Sequence, residues 1–340
     1  MLNFRNIYLL IFTSVASSLV SPLVFNSFAE YSGPEHLASI AWGNEEGQIS
    51  KSQGGGSLGN YTVMFVISNN EYIIIPDQYN NKIMVLKNDG KFLNEITPRG
   101  ITTEYLLDIW PGEIVLINND QIISLTKSSL QKYNYTGELL KSEIASVGHF
   151  LNKTHDDKII FELNDLFNVY DSDLNFVQTL KEEPKDENEI TQKMIYSIDE
   201  NDPSGVAISY EYNVGNEIVS LYEEYLDVQY YKLINAELFV VSNEENEESA
   251  HTYIHPGGFE EIDYEECNVI RVYNISSQLI TALFLPCDFY EKEVILPENM
   301  VEYPGPLRVY SSPVFDSKGN VYVTEQFADY FNIYKWTYSK

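Results

Sequence analysis

The densest group of side chains able to do chemistry lies late in the chain, in "NEENEESAHTYIHPGGFEEIDYEE", Asn243 to Glu266. It carries Glu244, Glu245, Glu247, Glu248, Glu260, Glu261, Asp263, Glu265 and Glu266. Carboxylates at this density could hold a divalent cation or meet a basic partner. The stretch reads as a long loop inserted into a compact domain, and such loops are either functional or disordered. A lid over one end of a channel is the functional version, and a solvated loop is the other. His251 and His255 fall inside it as "HTYIH", a spacing that would set both on one face of a helix. Thr252 stands where an HExxH zinc protease needs its glutamate, and Pro256-Gly257-Gly258 follows, so that chemistry is disfavoured.

The other histidines are His36, His149 and His155. His149 and His155 flank the start of one strand-rich unit and are weak candidates for a metal site, although "GHFLNKTHDDK" reads as a polar connection. "DSDLN" (Asp171 to Asn175) alternates oxygen ligands but lacks the glycine and glutamate of a calcium loop, so a hairpin turn is expected. No GxSxG elbow, Walker loop, GxGxxG unit or CxxC pair is present, and no catalytic residue is assigned. The expected cofactor is none, with a divalent cation as the one candidate. Asn-x-Ser/Thr sites at Asn60, Asn134, Asn152 and Asn274 are explained by the abundance of Asn.

The two cysteines are Cys267 and Cys287, and "CNVIRVYNISSQLITALFLPC" between them reads as two strands around a turn at Ser276-Ser277. A hairpin centred on Ser277 sets the two thiols opposite each other, which in an oxidising compartment favours a disulfide. A shift of one residue in register would leave them as unpaired thiols.

Charge narrows the partners. With 51 acidic residues against 21 basic ones, the net charge of −30 repels a phosphate backbone and an anionic membrane surface alike. The N-terminus gives Arg5, an apolar stretch from Ile7 to Phe25, and Ser27-Phe28-Ala29, the layout of a secretory signal peptide cut after Ala29. An uncleaved anchor is the alternative, but Pro22 and scattered Ser and Asn make a stable spanning helix less attractive. The expectation is a secreted or periplasmic monomer with no stable membrane insertion after cleavage. Residues 30–340 would form one domain, with residues 243–266 as an acidic insertion.

Around these groups the chain is built of short strands. The 26 Tyr and 17 Phe suit half-buried pleated surfaces and lean the composition towards β structure. Val66 to Lys87, "VISNNEYIIIPDQYNNKIMVLK", aligns without a gap on Val314 to Lys335, "VFDSKGNVYVTEQFADYFNIYK". Asp77 falls on Glu325, and an acid repeated after a strand most often caps the following turn. More worn units lie at Glu113 to Ile144, Lys158 to Leu180, Gly205 to Tyr225, and Ala236 to Asn243 with Asn268 to Pro286. Their spacing is near the roughly 40–50 residues of a propeller blade. A single such sheet would leave both apolar faces and both edges open, whereas radial packing buries the faces. The expected fold class is therefore all-β, a six-bladed β-propeller, with seven blades as the alternative. The strand-like "HLASIAWG" (His36 to Gly43) is expected to pair with the last unit and join the chain ends, with Asn44 to Asn60 as a flexible crossing.

"YIIIPDQYNNKIMVLKNDGKFLNEI" (Tyr72 to Ile96) resembles the NHL-type repeat. Strand, Asp77, Asn80-Asn81, Lys82-Ile83, strand and Asp89-Gly90 follow in the repeat's order, and "AWGNEEGQIS" is similar to the lead-in of bacterial exported propellers of this type. The likeness is good over about residues 40–96, fair over 314–335 and poor between. It implies a fold rather than an activity, since propellers host many unrelated functions. The expected function is binding, with loops presented to a protein, peptide or carbohydrate and no nucleic acid as partner. Some lyases and lactonases similar to this fold hold a metal at the hub, which gives the alternative of a metal-assisted lyase or lactonase.

Overall fold

The structure is a computed structural model that describes residues 30–50, 66–68, 72–77, 80–98, 105–110, 113–120, 127–145, 149–153, 158–163, 166–182, 191–198, 206–214, 217–222, 227–288, 293–295 and 308–340. Its regular structure is all β, with no helix among the described residues. The chain opens on β1 (Glu30–Ala41), whose partners come from the far end of the sequence. The first sheet follows: β2 (Val66–Ser68), β3 (Tyr72–Asp77), β4 (Lys82–Lys87) and β5 (Phe92–Ile96). The second holds β6 (Tyr105–Trp110), β7 (Glu113–Asp120), β8 (Lys127–Asn134) and β9 (Leu139–Ala145). The third holds β10 (His149–Lys153), β11 (Ile159–Leu163), β12 (Leu166–Tyr170) and β13 (Phe176–Leu180). The fourth holds β14 (Thr191–Ile198), β15 (Val206–Val214) and β16 (Glu217–Tyr222). The fifth holds β17 (Asp227–Ile234), β18 (Glu237–Ile254), β19 (Glu260–Asn274), β20 (Leu279–Phe284) and, beside β18, β21 (Glu293–Ile295). The last joins β22 (Val309–Tyr310), β23 (Val314–Phe315), β24 (Val321–Gln326) and β25 (Tyr330–Ser339) to β1.

One turn recurs between consecutive strands of five sheets. In Lys87–Lys91, Asn134–Glu138, Asp171–Asn175, Asn274–Gln278 and Asp316–Asn320 the first residue's carbonyl accepts from the fourth amide, and its amide donates to the fifth carbonyl. The fourth residue has positive φ in each: Gly90, Gly137, Leu174, Ser277 and Gly319. This is the three-residue hairpin closed by a left-handed residue, which fixes register. In "DSDLN" the Asp171 carboxylate accepts from the amides of Asp173 (3.0 Å) and Asn175 (2.7 Å), so the turn expected there is formed. Asn134 and Asn274 bond their own turns in the same way.

The apolar runs are buried on both faces, and the faces meet in a fixed order. In β3, Ile73 and Ile75 join Tyr322, Phe331, Ile333 and Ile40 of the last sheet, while Ile74 joins Tyr133 of the second. In β24 the equivalent Val321 and Val323 face Phe239, Val241 and Val272 of the fifth sheet, and Tyr322 faces the first. Each fully buried Ile or Val of this kind is worth about 1.5–3 kcal/mol relative to exposure. Second and third sheets meet through polar groups: Lys132 Nζ donates to Ser172 O (2.8 Å) and Lys141 Nζ to Asn175 Oδ1 (2.7 Å).

The strand expected at His36 to Gly43 is present and longer. β1 pairs antiparallel with β25 from Glu30↔Ser339 to Ala41↔Tyr330. The crossing that follows corrects the sequence reading, because its start is held against the first sheet. Ile49 is buried, Ser50 N donates to Asp77 Oδ2 (2.9 Å), and Gly47 N donates to Glu95 Oε1 (2.7 Å). Lys82 Nζ bridges Glu95 Oε1 and Glu45 O, both at 2.9 Å. These bonds join residues far apart in sequence, so local composition carried no sign of them. Residues 51–60 of the crossing, and residues 1–29, where a signal peptide is expected, lie outside the described residues.

The two repeated acids behave differently. Asp77 caps its turn, accepting from Asn80 N (3.2 Å) and Asn80 Nδ2 (2.7 Å). Glu325 instead gathers Arg308 (3.1 Å), the Tyr310 hydroxyl (2.8 Å), Asn332 Nδ2 (3.1 Å) and the Tyr334 hydroxyl (2.9 Å). Burial pushes its carboxyl up, but the hydrogen bonds from Tyr310, Asn332 and Tyr334, with the Arg308 charge, outweigh that and hold it below the usual carboxylate value.

Candidate functional site

The acidic insertion is not a loop. Asn243 to Glu266 continues β18 and β19 as a long hairpin, paired from Glu237↔Asn274 out to Ile254↔Glu260 with a register shift between Asn246 and His251. The inner half of this ladder, Leu238 to Val241 against Ile270 to Tyr273, lies in the core. That half fixes the register, and the outer half extends a ladder already formed, which offsets the poor strand preference of its glutamates. Past Ser242 the sequence turns acidic, with Glu244, Glu245, Glu247 and Glu248 on β18.

The base of the extension is pinned twice. Arg271 on β19 donates to Ser242 Oγ (2.8 Å) and forms an ion pair with Glu244. Cys267 and Cys287 form the expected disulfide, with Cα atoms 4.5 Å apart. The register differs from the one centred on Ser277: Val269 pairs Phe284 and Val272 pairs Thr281, one residue short. The left-handed Ser277 closes its turn with a bulge, and the bridge forms beyond the last ladder bond, Leu285 N to Asn268 O (3.0 Å).

The tip is a five-residue turn, His255–Phe259, with the same two backbone bonds as the turns elsewhere. Directly paired residues share a face, so His251, Tyr253, Glu261 and Asp263 lie on one side. There His255 Nε2 is 3.0 Å from Glu261 Oε2, and the buried His251 lies 3.8 Å from Asp263 Oδ2, edge-on to Tyr253. Burial, with Asp263 and Glu261 nearby, pushes the Tyr253 hydroxyl up. "HTYIH" is thus strand rather than helix.

The opposite side carries exposed apolar residues beside Glu260 and Glu293. Thr252 pairs with both Ile262 and Glu293, and Ile254 with both Glu260 and Ile295, so β21, β18 and β19 form a small three-stranded platform. Ile262 is 57% exposed, Tyr264 43% and Ile295 78%, with Phe259 at 66% on the turn. The sequence reading gave weight to the acids and passed over these residues. Their signal was the period-two alternation in "EIDYE" (Glu261 to Glu265), apolar at 262 and 264 and acidic between.

Among the proposed site residues, Glu244, Glu260, Glu261 and Asp263 sit on this hairpin with the contacts above, and Glu245, Glu247 and Glu248 lie along β18. His149 is the first residue of β10, and His155 lies outside the described residues. Among the described residues no group of three or more His, Cys, Asp or Glu could hold a metal ion.

No family model matches the sequence, and no curated protein matches it. Among solved structures, the chain is similar to an exported protein of Bacteroides fragilis NCTC 9343 at 13% identity and TM-score 0.40, covering 94% of this chain and 98% of that one. A DUF4221 family member from Bacteroides vulgatus gives 10% identity and 0.38 over 91% and 99% of the two chains. A streptogramin B lyase gives 9% and 0.36 over 84% and 95%. At identities and scores this low, these likenesses assign neither a ligand nor a reaction.

Proposed function

We propose that the chain is an exported six-bladed β-propeller of the NHL-like kind, closed where β1 joins β25, and that it works as a binding module. The observation that carries the binding reading is the β18–β19 hairpin. It is a rigid element pinned at its base by a disulfide and an ion pair, ending in exposed apolar and acidic side chains. An exposed apolar patch rimmed by polar residues marks an interaction site more often than it marks nothing. The partner is a protein, peptide or carbohydrate, and neither a cofactor nor a second copy is needed. The ring is supported by the face order: β3 meets the last sheet as β24 meets the fifth. Export is supported by the leader-like N-terminus and the disulfide.

A photocrosslinking residue at Phe259, on the tip, tests this in cells that export the protein. A discrete adduct is expected there and none from the same residue at Phe92, which is also exposed but lies on the first sheet. Adducts at both positions, or at neither, would contradict a hairpin built for recognition.

A further inference from the structure

Among the described residues the outer part of β19 has an open edge. Between Glu260 and Asp263 it pairs with β18 on one side, and β20 reaches only as far as Val269 on the other. Among the described residues no strand lies against that edge. Alternation from Asn268, whose carbonyl points to the β20 side, turns the Tyr264 amide outward. That amide donates to its own neighbour, Asp263 Oδ1, at 3.1 Å. Such an edge is a template for another strand, and proteins usually guard it.

Here the guard is charge. Glu260, Glu261, Asp263, Glu265 and Glu266 run along the same edge. Two copies of it would repel each other, and the net charge of −30 adds to that. The same charges would attract a basic strand. Resting on the binding role of the hairpin, we propose that its tip captures an extended partner segment by strand addition to β19, and that the segment alternates basic and apolar residues. Main-chain bonds to the outward groups of Ile262 and Tyr264 give the affinity. The basic side chains lie beside Glu261 and Asp263, and the apolar ones lie beside Ile262 and Tyr264 on the other face. Alternation in the partner follows from alternation in β19.

The probe is a fluorescent synthetic octapeptide alternating lysine and valine, followed by anisotropy on the secreted chain. Saturable binding is expected, weakening with salt. The same peptide N-methylated at alternate residues keeps its charge and loses its donors, and should bind at least about tenfold more weakly. So should Tyr264→Pro protein, which loses an amide that points away from β18. An unchanged melting temperature in Tyr264→Pro confirms that the hairpin still folds, and Ile262→Lys gives a second variant with the same expected loss. No saturable binding by the unaltered chain, or equal binding of the methylated peptide, overturns strand addition. A discrete adduct from position 259 alongside either result would leave the hairpin a recognition element of another kind.

Discussion

Gly90→Ala is expected to cost about 3–4 kcal/mol of folding stability. Gly90 closes the turn between β4 and β5 with φ of +81°, and a side chain there carries the left-handed penalty. The larger part comes from what it touches. A Cβ at position 90 would fall on the Leu37 carbonyl oxygen and lie 2.5 Å from the Leu37 carbonyl carbon. Leu37 belongs to β1, which is bonded to β25, so the clash is backbone against backbone and cannot relax by a rotamer change. Gly258 is the control. It occupies the same place in the hairpin-tip turn at φ +83°, with nothing within 4 Å of an added Cβ. Gly258→Ala should cost only the conformational part, about 1–2 kcal/mol. Urea denaturation of the two variants separates the contributions. Equal losses would mean that β1 does not press on the first sheet.

Phe239→Ala is the second large effect, expected at about 3–5 kcal/mol. Phe239 is fully buried between the fifth and last sheets, with its ring 5.4 Å from those of Phe315 and Tyr338. Gly319 leaves it room: a Cβ there would approach Phe239 Cζ to 2.7 Å. Truncation leaves a cavity walled by two sheets whose strands are fixed by their own ladders, so collapse is limited. Leu233, on the same fifth sheet but 36% exposed, should lose less than about 1 kcal/mol on the same change. Denaturation midpoints at unchanged m-value check both. A small loss at Phe239 would mean that these two sheets do not share a packed face.

Much of the fold was legible because its signals are local. The Ile73–Ile75 and Ile83–Leu86 runs with a turn between them give β3 and β4, and Asn-Asp-Gly gives the turn into β5. The gapless alignment of Val66–Lys87 on Val314–Lys335 places β3 and β4 where β24 and β25 stand in the last sheet. β1 was legible because "HLASIAWG" is apolar and the last unit lacked a strand. What was missed depends on distance. The bonds of Glu45, Gly47 and Ser50 to the first sheet involve residues 27 to 48 positions away. The hairpin was misjudged because glutamate is a poor strand former and nine acids outweighed a short alternation. Its core half decided the outcome. The disulfide was reached through a register one residue off, since bridge geometry tolerates what a ladder does not.

The central claim is that the sheets are wedged face to face and sealed where β1 meets β25. Native-state hydrogen exchange in rising denaturant reads this most directly. The account predicts that backbone amides of residues 35–41 open at the same free energy as those of 331–336 and 72–77, in one cooperative step. Amides of 35–41 exchanging as free chain while the other two groups stay protected would contradict it.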